Sequence, residues 1–281
     1  MFTKDDVAEY YNNTLSHYER WWNLEKGLSL HYGIWTKNTK SFAEALINTN
    51  RVLMELAEIS ETDKILDAGC GVGGAAIFLN EQKNCRVTGI TLSQKQMLFA
   101  NRISTKKNVG DKVTFKVMDY TKTTFPDASF DVIWACESIS SAPDKLLFIK
   151  EAYRLLKKGG RLILSDFFLT DANQQDSNSW IKKWGETWGI SNFVTCDFFI
   201  ENLTKEGFVS VKSIDYTTEI QKSAKRLYYS AILGAIPSEL YNLLNSNVTR
   251  FAGNHYKCGY FQYKALKGNL WKYNVIIAVK G

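Results

Sequence analysis

Asp67, Gly69, Gly71 and Gly73 fall within the ten-residue stretch ILDAGCGVGG (65–74), where an apolar run meets an acid and ends in glycines. Glycines at such a turn permit positive φ and close backbone approach, and the helix that follows offers free N–H groups to an anion. Two ligands fit that turn. Gly69, Gly71 and Gly74 spell GxGxxG, the fingerprint of a dinucleotide whose pyrophosphate sits on the helix N-terminus. That site also wants an acid about 20 residues past the glycines, at the end of the second strand. The second strand here ends in GITLS, without one. Asp67 instead precedes the glycines, where it suits a cationic group, and Asp119, followed by Tyr120 in KVMDY, is placed to accept from an adenine amino group. S-adenosyl-L-methionine carries both features, a sulfonium and ammonium at one end and adenosine at the other. A tight turn with no ligand is the plain alternative. Loop, Asp67, Asp119 and strand order together favour S-adenosylmethionine.

Further candidates for chemistry lie downstream. Glu137 closes the fourth strand in WACESISSAPDK, on the carboxyl side of the sheet, where a transferred methyl would point. A carboxylate there can take a proton or stabilise a cation, or simply cap the loop. Trp180, Trp184 and Trp188 recur at i, i+4 and i+8 in WIKKWGETW, forming one stripe if the stretch is helical. That stripe fits core packing, or an aromatic wall for a substrate. Of the three histidines, 17, 31 and 255, none belongs to a cluster with metal-ligand spacing, so no metal is expected.

These residues need a frame. From residue 64 to about 168, short apolar runs alternate with amphipathic stretches, the pattern of βα units around a parallel sheet. KILDAG, CRVTGITL, KVTFKVMD, FDVIWACE and RLILSDFF read as strands, with Ser93 capping the helix after the second and Gly159-Gly160 ending the helix after the fourth. CDFFIENLTKEGF reads as a helix, SVKSIDYTTEI as a strand, and NLWKYNVIIAVKG as a terminal strand entered at Gly268-Asn269. The expected fold is α/β: a doubly wound, Rossmann-like, mostly parallel seven-stranded sheet with a helical N-terminal segment and lid insertions. Residues 1–60 form the helical cap and 61–281 the main domain, interrupted by insertions at about 170–193 and 219–267 that fit no βα unit.

Composition narrows the class. Hydrophobic residues make up 45% of the 281, enough for a full core, and 14% are aromatic. The net charge of +6 is dispersed, with no Lys/Arg run longer than two, which argues against nucleic acid and leaves peripheral contact with a membrane open. Five scattered cysteines without a CxxC pair point to a reducing cytoplasm. The polar start MFTKDDVAEYYNN and the lack of long apolar runs point away from a signal peptide and a membrane span.

LDAGCGVGG, VTGITLSQKQ, FPDASFDVIWACES and AYRLLKKGGRLILSD together resemble the class I S-adenosylmethionine-dependent methyltransferases. Within them the chain is similar to the branch holding tocopherol and sterol methyltransferases and cyclopropane fatty acid synthases. The likeness runs over nearly the whole chain. It implies that Thr91, Leu92 and Gln96 take the place of the ribose-binding acid. It also implies that YYNNTLSHYERWW and HYGIW fold over the cofactor, with Tyr11, His31 and Gly33 at matching positions. His31 and Glu137 are then the catalytic candidates. Similar enzymes carry a His four residues after the acid; Ser141 stands there instead, which removes an obvious base. The resemblance implies methyl transfer to a small molecule, and the two apolar, aromatic-rich insertions, with WIKKWGETW and KRLYYSAILGAIPSELYNLL, suggest a hydrophobic one such as an isoprenoid, lipid or aromatic ring. Rival readings are a macromolecular methyltransferase, a silent S-adenosylmethionine-binding protein and a nicotinamide-dependent oxidoreductase. Residues 1 to about 35 are expected to close over bound cofactor.

Overall fold

The computed structural model describes residue 3 and residues 5–13, 27–190, 192–245, 248–249 and 253–281. His17 and most of YYNNTLSHYERWW lie outside the described residues. Seven strands, β1 (Lys64–Ala68), β2 (Arg86–Thr91), β3 (Val113–Val117), β4 (Phe130–Cys136), β5 (Leu156–Leu169), β6 (Phe208–Asp215) and β7 (Trp271–Lys280), form one sheet ordered β3-β2-β1-β4-β5-β7-β6. β3 through β5 are parallel, and β7 runs antiparallel between β5 and β6. The order reverses between β1 and β4, so a crevice opens past their carboxyl ends. β1, β2 and β4 are buried over most of their length, as continuous apolar runs require when helices cover both faces.

One face is covered by α1 (Phe42–Leu56), α2 (Gly74–Lys83) and α3 (Gln94–Lys106), the other by α4 (Lys145–Leu155) and α6 (Cys196–Glu206). Their starts carry local signals. Ser41, Ser93, Asp144 and Thr195 each accept a backbone N–H of the first turn. α2 lacks a side-chain cap and begins straight from the glycines.

A third core lies outside the two sheet faces. α5 (Trp180–Trp188), α7 (Thr217–Leu244) and α8 (Cys258–Lys267) pack together, and α7 and α8 both reach β7. Trp184, Trp271, Tyr273 and Tyr32 are buried there, with Phe167 among them. The two insertions thus share one aromatic core with the HYGIW segment. The first 60 residues include helical segments at 5–13 and α1, but 28–41 is irregular.

Two expected boundaries move. α4 ends at Leu155, before the Gly-Gly pair, because β5 begins at Leu156 and pairs there with Phe130. β6 stops at Asp215; YTTEI turns into α7, whose first turn is started by the Asp215 carboxylate accepting the Thr217 N–H at 2.8 Å. The later insertion is largely two helices, since alternation gives way to helical spacing after Thr217.

Candidate functional site

A cavity lies over the carboxyl ends of β1, β2 and β4. It is lined by Tyr11, His31, Asp67, Gly69, Gly71, Thr91, Leu92, Gln96, Asp119, Tyr120, Glu137 and Trp188 among the sequence candidates. Gly73, Trp180 and Trp184 do not line it.

The glycine loop forms the floor. Gly69, Gly71 and Gly73 all have positive φ, at 90°, 51° and 85°. Their surroundings differ. A Cβ on Gly69 would collide with Ser138, and one on Gly73 would meet Phe115 at 2.5 Å and Ala100 at 2.9 Å. Those two glycines let helix, strand and loop approach closely. Only Gly71 faces open space, its nearest neighbour being Leu30 Cδ1 at 3.6 Å. Gly73 packs behind the cavity, where α2 begins.

Asp67 is 2% exposed, and its Oδ2 has no hydrogen-bond partner among the described residues. Burial pushes its pKa up to about 7, against the pull of the Ala76 N–H. A buried carboxyl oxygen without a donor is costly unless a ligand supplies one. An ammonium would. Thr91 donates to Gln96 Oε1 at 2.7 Å and accepts from the Ser93 N–H at 3.1 Å, which locks the end of β2 to the start of α3. Asp119 Oδ1 accepts the N–H and the hydroxyl of Thr121, both at 2.8 Å. Tyr120 donates to the Ser138 carbonyl at 2.7 Å, tying the third strand's loop to the fourth's. Dinucleotide recognition finds no carboxylate at Thr91 or Leu92.

Glu137 lines the same cavity from the end of β4. Its φ of 49° is left-handed, a conformation a glutamate adopts only at a cost of roughly 1–3 kcal/mol. The surroundings hold it there: its own N–H donates to the Ser165 carbonyl at 2.8 Å. Oε1 accepts from the Tyr32 N–H at 2.7 Å and from the Tyr273 hydroxyl at 2.8 Å. Burial drives its pKa well above the ordinary carboxylate range; those two donors oppose the shift, and the Asp166 charge adds to it. Both bonds fall on Oε1, leaving Oε2 for the cavity.

His31 lies across the same space. Its Nδ1 is 2.9 Å from the Tyr32 carbonyl, which can only accept, so the proton belongs on Nδ1. Nε2 then carries a lone pair, buried and without a partner among the described residues. Burial lowers the pKa to about 4, so the ring is neutral at physiological pH.

The loop that follows Glu137 is fixed from beneath. Asp166 Oδ2 accepts the Ser140 N–H at 2.9 Å, while buried Lys145 donates to the carbonyls of Ser140 (2.8 Å) and Ala142 (2.6 Å). Ser141 of that loop lines the cavity and is hydrogen-bonded to Tyr11. The hydroxyl that replaces the family's histidine is thus engaged by the N-terminal segment.

That segment lies across the mouth. Asn12 Oδ1 accepts from Ser93 Oγ at 2.6 Å, the Asn12 carbonyl accepts from Lys95 Nζ at 3.0 Å, and Tyr10 shares a 2.9 Å bond with His255. Leu28 abuts Gly74, where any Cβ would strike its carbonyl. Gly33 is equally tight, against Ala45 of α1.

The tryptophan stripe divides. Trp188 lines the cavity beside Phe167 and Tyr32. Trp184 is fully buried against Trp271 and Phe193, and Trp180 stacks on Phe261. Helical spacing sets residues on one face, but that face meets a core along most of its length. Tyr32, Tyr273 and the Asp166–Lys145 pair carry no signal that singles them out in the sequence. Tyr273 stands 136 residues from Glu137, and no local pattern marks it.

Among the described residues, no three His, Cys, Asp or Glu stand together to hold a metal, and no helix is long and apolar enough to cross a membrane.

The reversed strand order, the glycine loop beside a buried acid, and the capped cavity define a class: the S-adenosylmethionine-dependent methyltransferases of class I. Residues 66–164 match the methyltransferase-domain family model, and this segment belongs to that family. It is 36% identical over 167 residues to the 27-O-demethylrifamycin SV methyltransferase of Amycolatopsis mediterranei, covering 59% of this chain and 60% of that one. Similarity to the 2-methyl-6-phytyl-1,4-hydroquinone methyltransferase of Synechocystis is 32% identity, covering 77% of this chain and 66% of that one. The matches thus span less than two thirds of these relatives' own length. The geranyl diphosphate C-methyltransferase of Streptomyces coelicolor, solved with Mg2+, geranyl diphosphate and S-adenosyl-L-homocysteine, shares the fold. It superposes with a TM-score of 0.77 over 99% of this chain and 97% of that one, at 19% identity.

Proposed function

We propose that the protein transfers a methyl group from S-adenosyl-L-methionine to a small, hydrophobic acceptor. The observation that carries this reading is the presence, within one cavity, of buried Asp67, whose Oδ2 has no donor among the described residues, together with Glu137 and His31. The cofactor supplies an activated methyl on a sulfonium. Asp67 would take its ammonium, Gly69 and Gly71 its methionine portion, and Thr91, Leu92, Gln96, Asp119 and Tyr120 its adenosine. Tyr11 closes the cavity from the N-terminal side, and Gly73 positions α2.

The protein's remaining task is to hold acceptor and methyl in line and to keep water out. Glu137 lines the cavity and, with its raised pKa drawn down by the sulfonium charge of bound cofactor, can take a proton from the acceptor or stabilise a cation that forms on it. Neutral His31 offers Nε2 to a hydroxyl or amine and orients it. Trp188, with Phe167 and Ile190 beside it on the cavity wall, supplies an apolar surface for the acceptor's body. In this reading residues 1–60 cap the cofactor, the insertions at 170–193 and 219–267 form the acceptor side, and the enzyme works in the cytoplasm. Peripheral membrane contact fits a hydrophobic acceptor, and nucleic acid does not.

The test is incubation with methyl-labelled S-adenosylmethionine and fractionated cell extract. Label should enter a low-molecular-weight, solvent-extractable fraction and should not enter it with Glu137→Gln. Label in RNA or protein would overturn the small-molecule reading, and no label in any fraction would favour a silent cofactor binder.

A further inference from the structure

Helix α7 departs from every other helix in what it leaves outside. Tyr229, Leu233, Ile236, Leu240, Leu243 and Leu244 are exposed, with Leu233, Ile236 and Leu243 at 79, 81 and 83%. Their spacing of three and four residues puts them on one face. Exposed leucines scattered singly need no explanation, but a continuous stripe over about four turns does. The stripe has a polar head. Lys222, Lys225 and Arg226 continue it one to two turns toward the N-terminus, all exposed, with Lys225 Nζ 5.8 Å from the Tyr229 ring.

We propose that this face of α7 docks on an anionic lipid surface, with the leucine stripe in the acyl boundary and the basic turns on the headgroups. The charge pattern favours that occupant over a second copy of the chain. Between residues 217 and 244 the helix carries two acids. Glu219 has a buried Oε2, and Glu239 is taken by Tyr256 at 2.5 Å and Lys257 at 3.1 Å. A copy pairing through this face would therefore bring apolar surface and more cations, but no counter-charge. An anionic bilayer supplies both. The stripe also covers only about two heptads and contains Pro237, whereas a stable helix pair needs three or four. Tyr229, at the boundary between cations and leucines, has the amphipathic character that suits an interface. α7 packs on α8, and α8 on α5, the helix whose Trp188 lines the cavity, so docking would bring the acceptor side of the protein to the lipid.

Co-sedimentation of the full chain with phosphatidylcholine vesicles, with and without about one-third phosphatidylglycerol, tests this. The protein should pellet with the anionic vesicles, more weakly with neutral ones, and less in high salt. Leu233→Glu/Ile236→Glu and, separately, Lys222→Ala/Lys225→Ala/Arg226→Ala should each lower partition roughly tenfold or more. Both variants alter exposed side chains, and calorimetry should find their S-adenosylhomocysteine affinity unchanged. Loss of membrane binding is thereby distinguished from failure of the methyltransferase reading. Wild-type protein that ignores both vesicle types overturns the proposal, as does a leucine variant that binds like wild type. A dimer in sedimentation velocity that the leucine variant splits, without vesicle binding, would assign the face to a second copy instead.

Discussion

The two walls of the cavity are built in different ways. The wall proposed for the cofactor comes from residues 67–121, short segments of consecutive βα units, each placed by its own strand end. The wall proposed for the acceptor depends on parts of the chain that meet only in the folded protein: Glu137 after β4 is held from behind by Tyr32 of the N-terminal segment and Tyr273 of β7. One wall is local and preformed by turns. The other depends on contacts spanning 105 and 136 residues. Substitutions on the first should act on cofactor affinity, and those on the second on turnover or acceptor binding.

The largest effect expected is on the local wall. Gly71→Val places a branched side chain at φ 51° and into the open space under Leu30. S-adenosylhomocysteine affinity should fall roughly a hundredfold or more, since every 1.4 kcal/mol of clash is about tenfold. Calorimetry measures it, and retained affinity would mean that the ligand lies elsewhere.

Glu137→Gln probes the other wall. It preserves shape and removes the ability to take a proton. Turnover should drop about 10²-fold, the usual scale for a positioned acid or base, with cofactor affinity within a few-fold of wild type. If stability falls and turnover of the folded fraction does not, Glu137 only holds its loop.

How far each wall can be read in the sequence follows from the same contrast. Asp67, Gly71 and Asp119 are legible because their places depend on neighbours a few residues away and on strand order. Glu137 is legible as a position, at the end of β4, but the donors that grip it are not. Tyr273 looks like any aromatic in a buried strand, and Lys145 like any helix lysine until its burial is seen. Gly73 reads as a ligand residue because all three glycines look alike in a string; the ring of Phe115 against it adds a packing constraint that the string does not reveal. At the start of α7 the Asp215 carboxylate accepts the Thr217 N–H, and from there the strand-like YTTEI is helical, a contact that β propensity alone does not reveal.

A smaller effect concerns pH. Asp67 titrates near 7 in the free protein because burial disfavours its charge. An ammonium beside it would lower that pKa, so cofactor binding would release a proton. Affinity should then rise as pH rises toward 7 and level off above, by at most about tenfold per unit. Asp67→Asn should flatten the profile. Without cofactor the same shift works against folding. The folded pKa lies above the unfolded 3.8, so the neutral group's contribution is complete below about 4 and lost as pH rises through 7. The Asp67→Asn variant should therefore be more stable than wild type at pH 8 without ligand, by on the order of 1–4 kcal/mol, measurable in urea. An unchanged midpoint would show that the buried carboxyl finds its own partner.

The smallest effect separates members of one stripe. Trp188, Trp184 and Trp180 share a helix face but not a destination, because α8 and β7 cover the face from its start and leave only its last turn beside the cavity. Trp188→Ala removes apolar wall next to Phe167. It should raise the acceptor KM several-fold, with cofactor affinity kept, since about 25 cal/mol is lost for each Å2 no longer covered. Trp184→Ala should cost about 3–5 kcal/mol of stability, as truncation of a large buried ring does. Trp180 stacks on Phe261 at 6.0 Å and carries Lys183 over its ring, outside the cavity. Trp180→Ala should leave the acceptor KM within about twofold, a shift of under about 0.5 kcal/mol. If Trp180→Ala raises KM as much as Trp188→Ala, the acceptor reaches along the whole helix, and the wall is longer than the cavity around Glu137 implies.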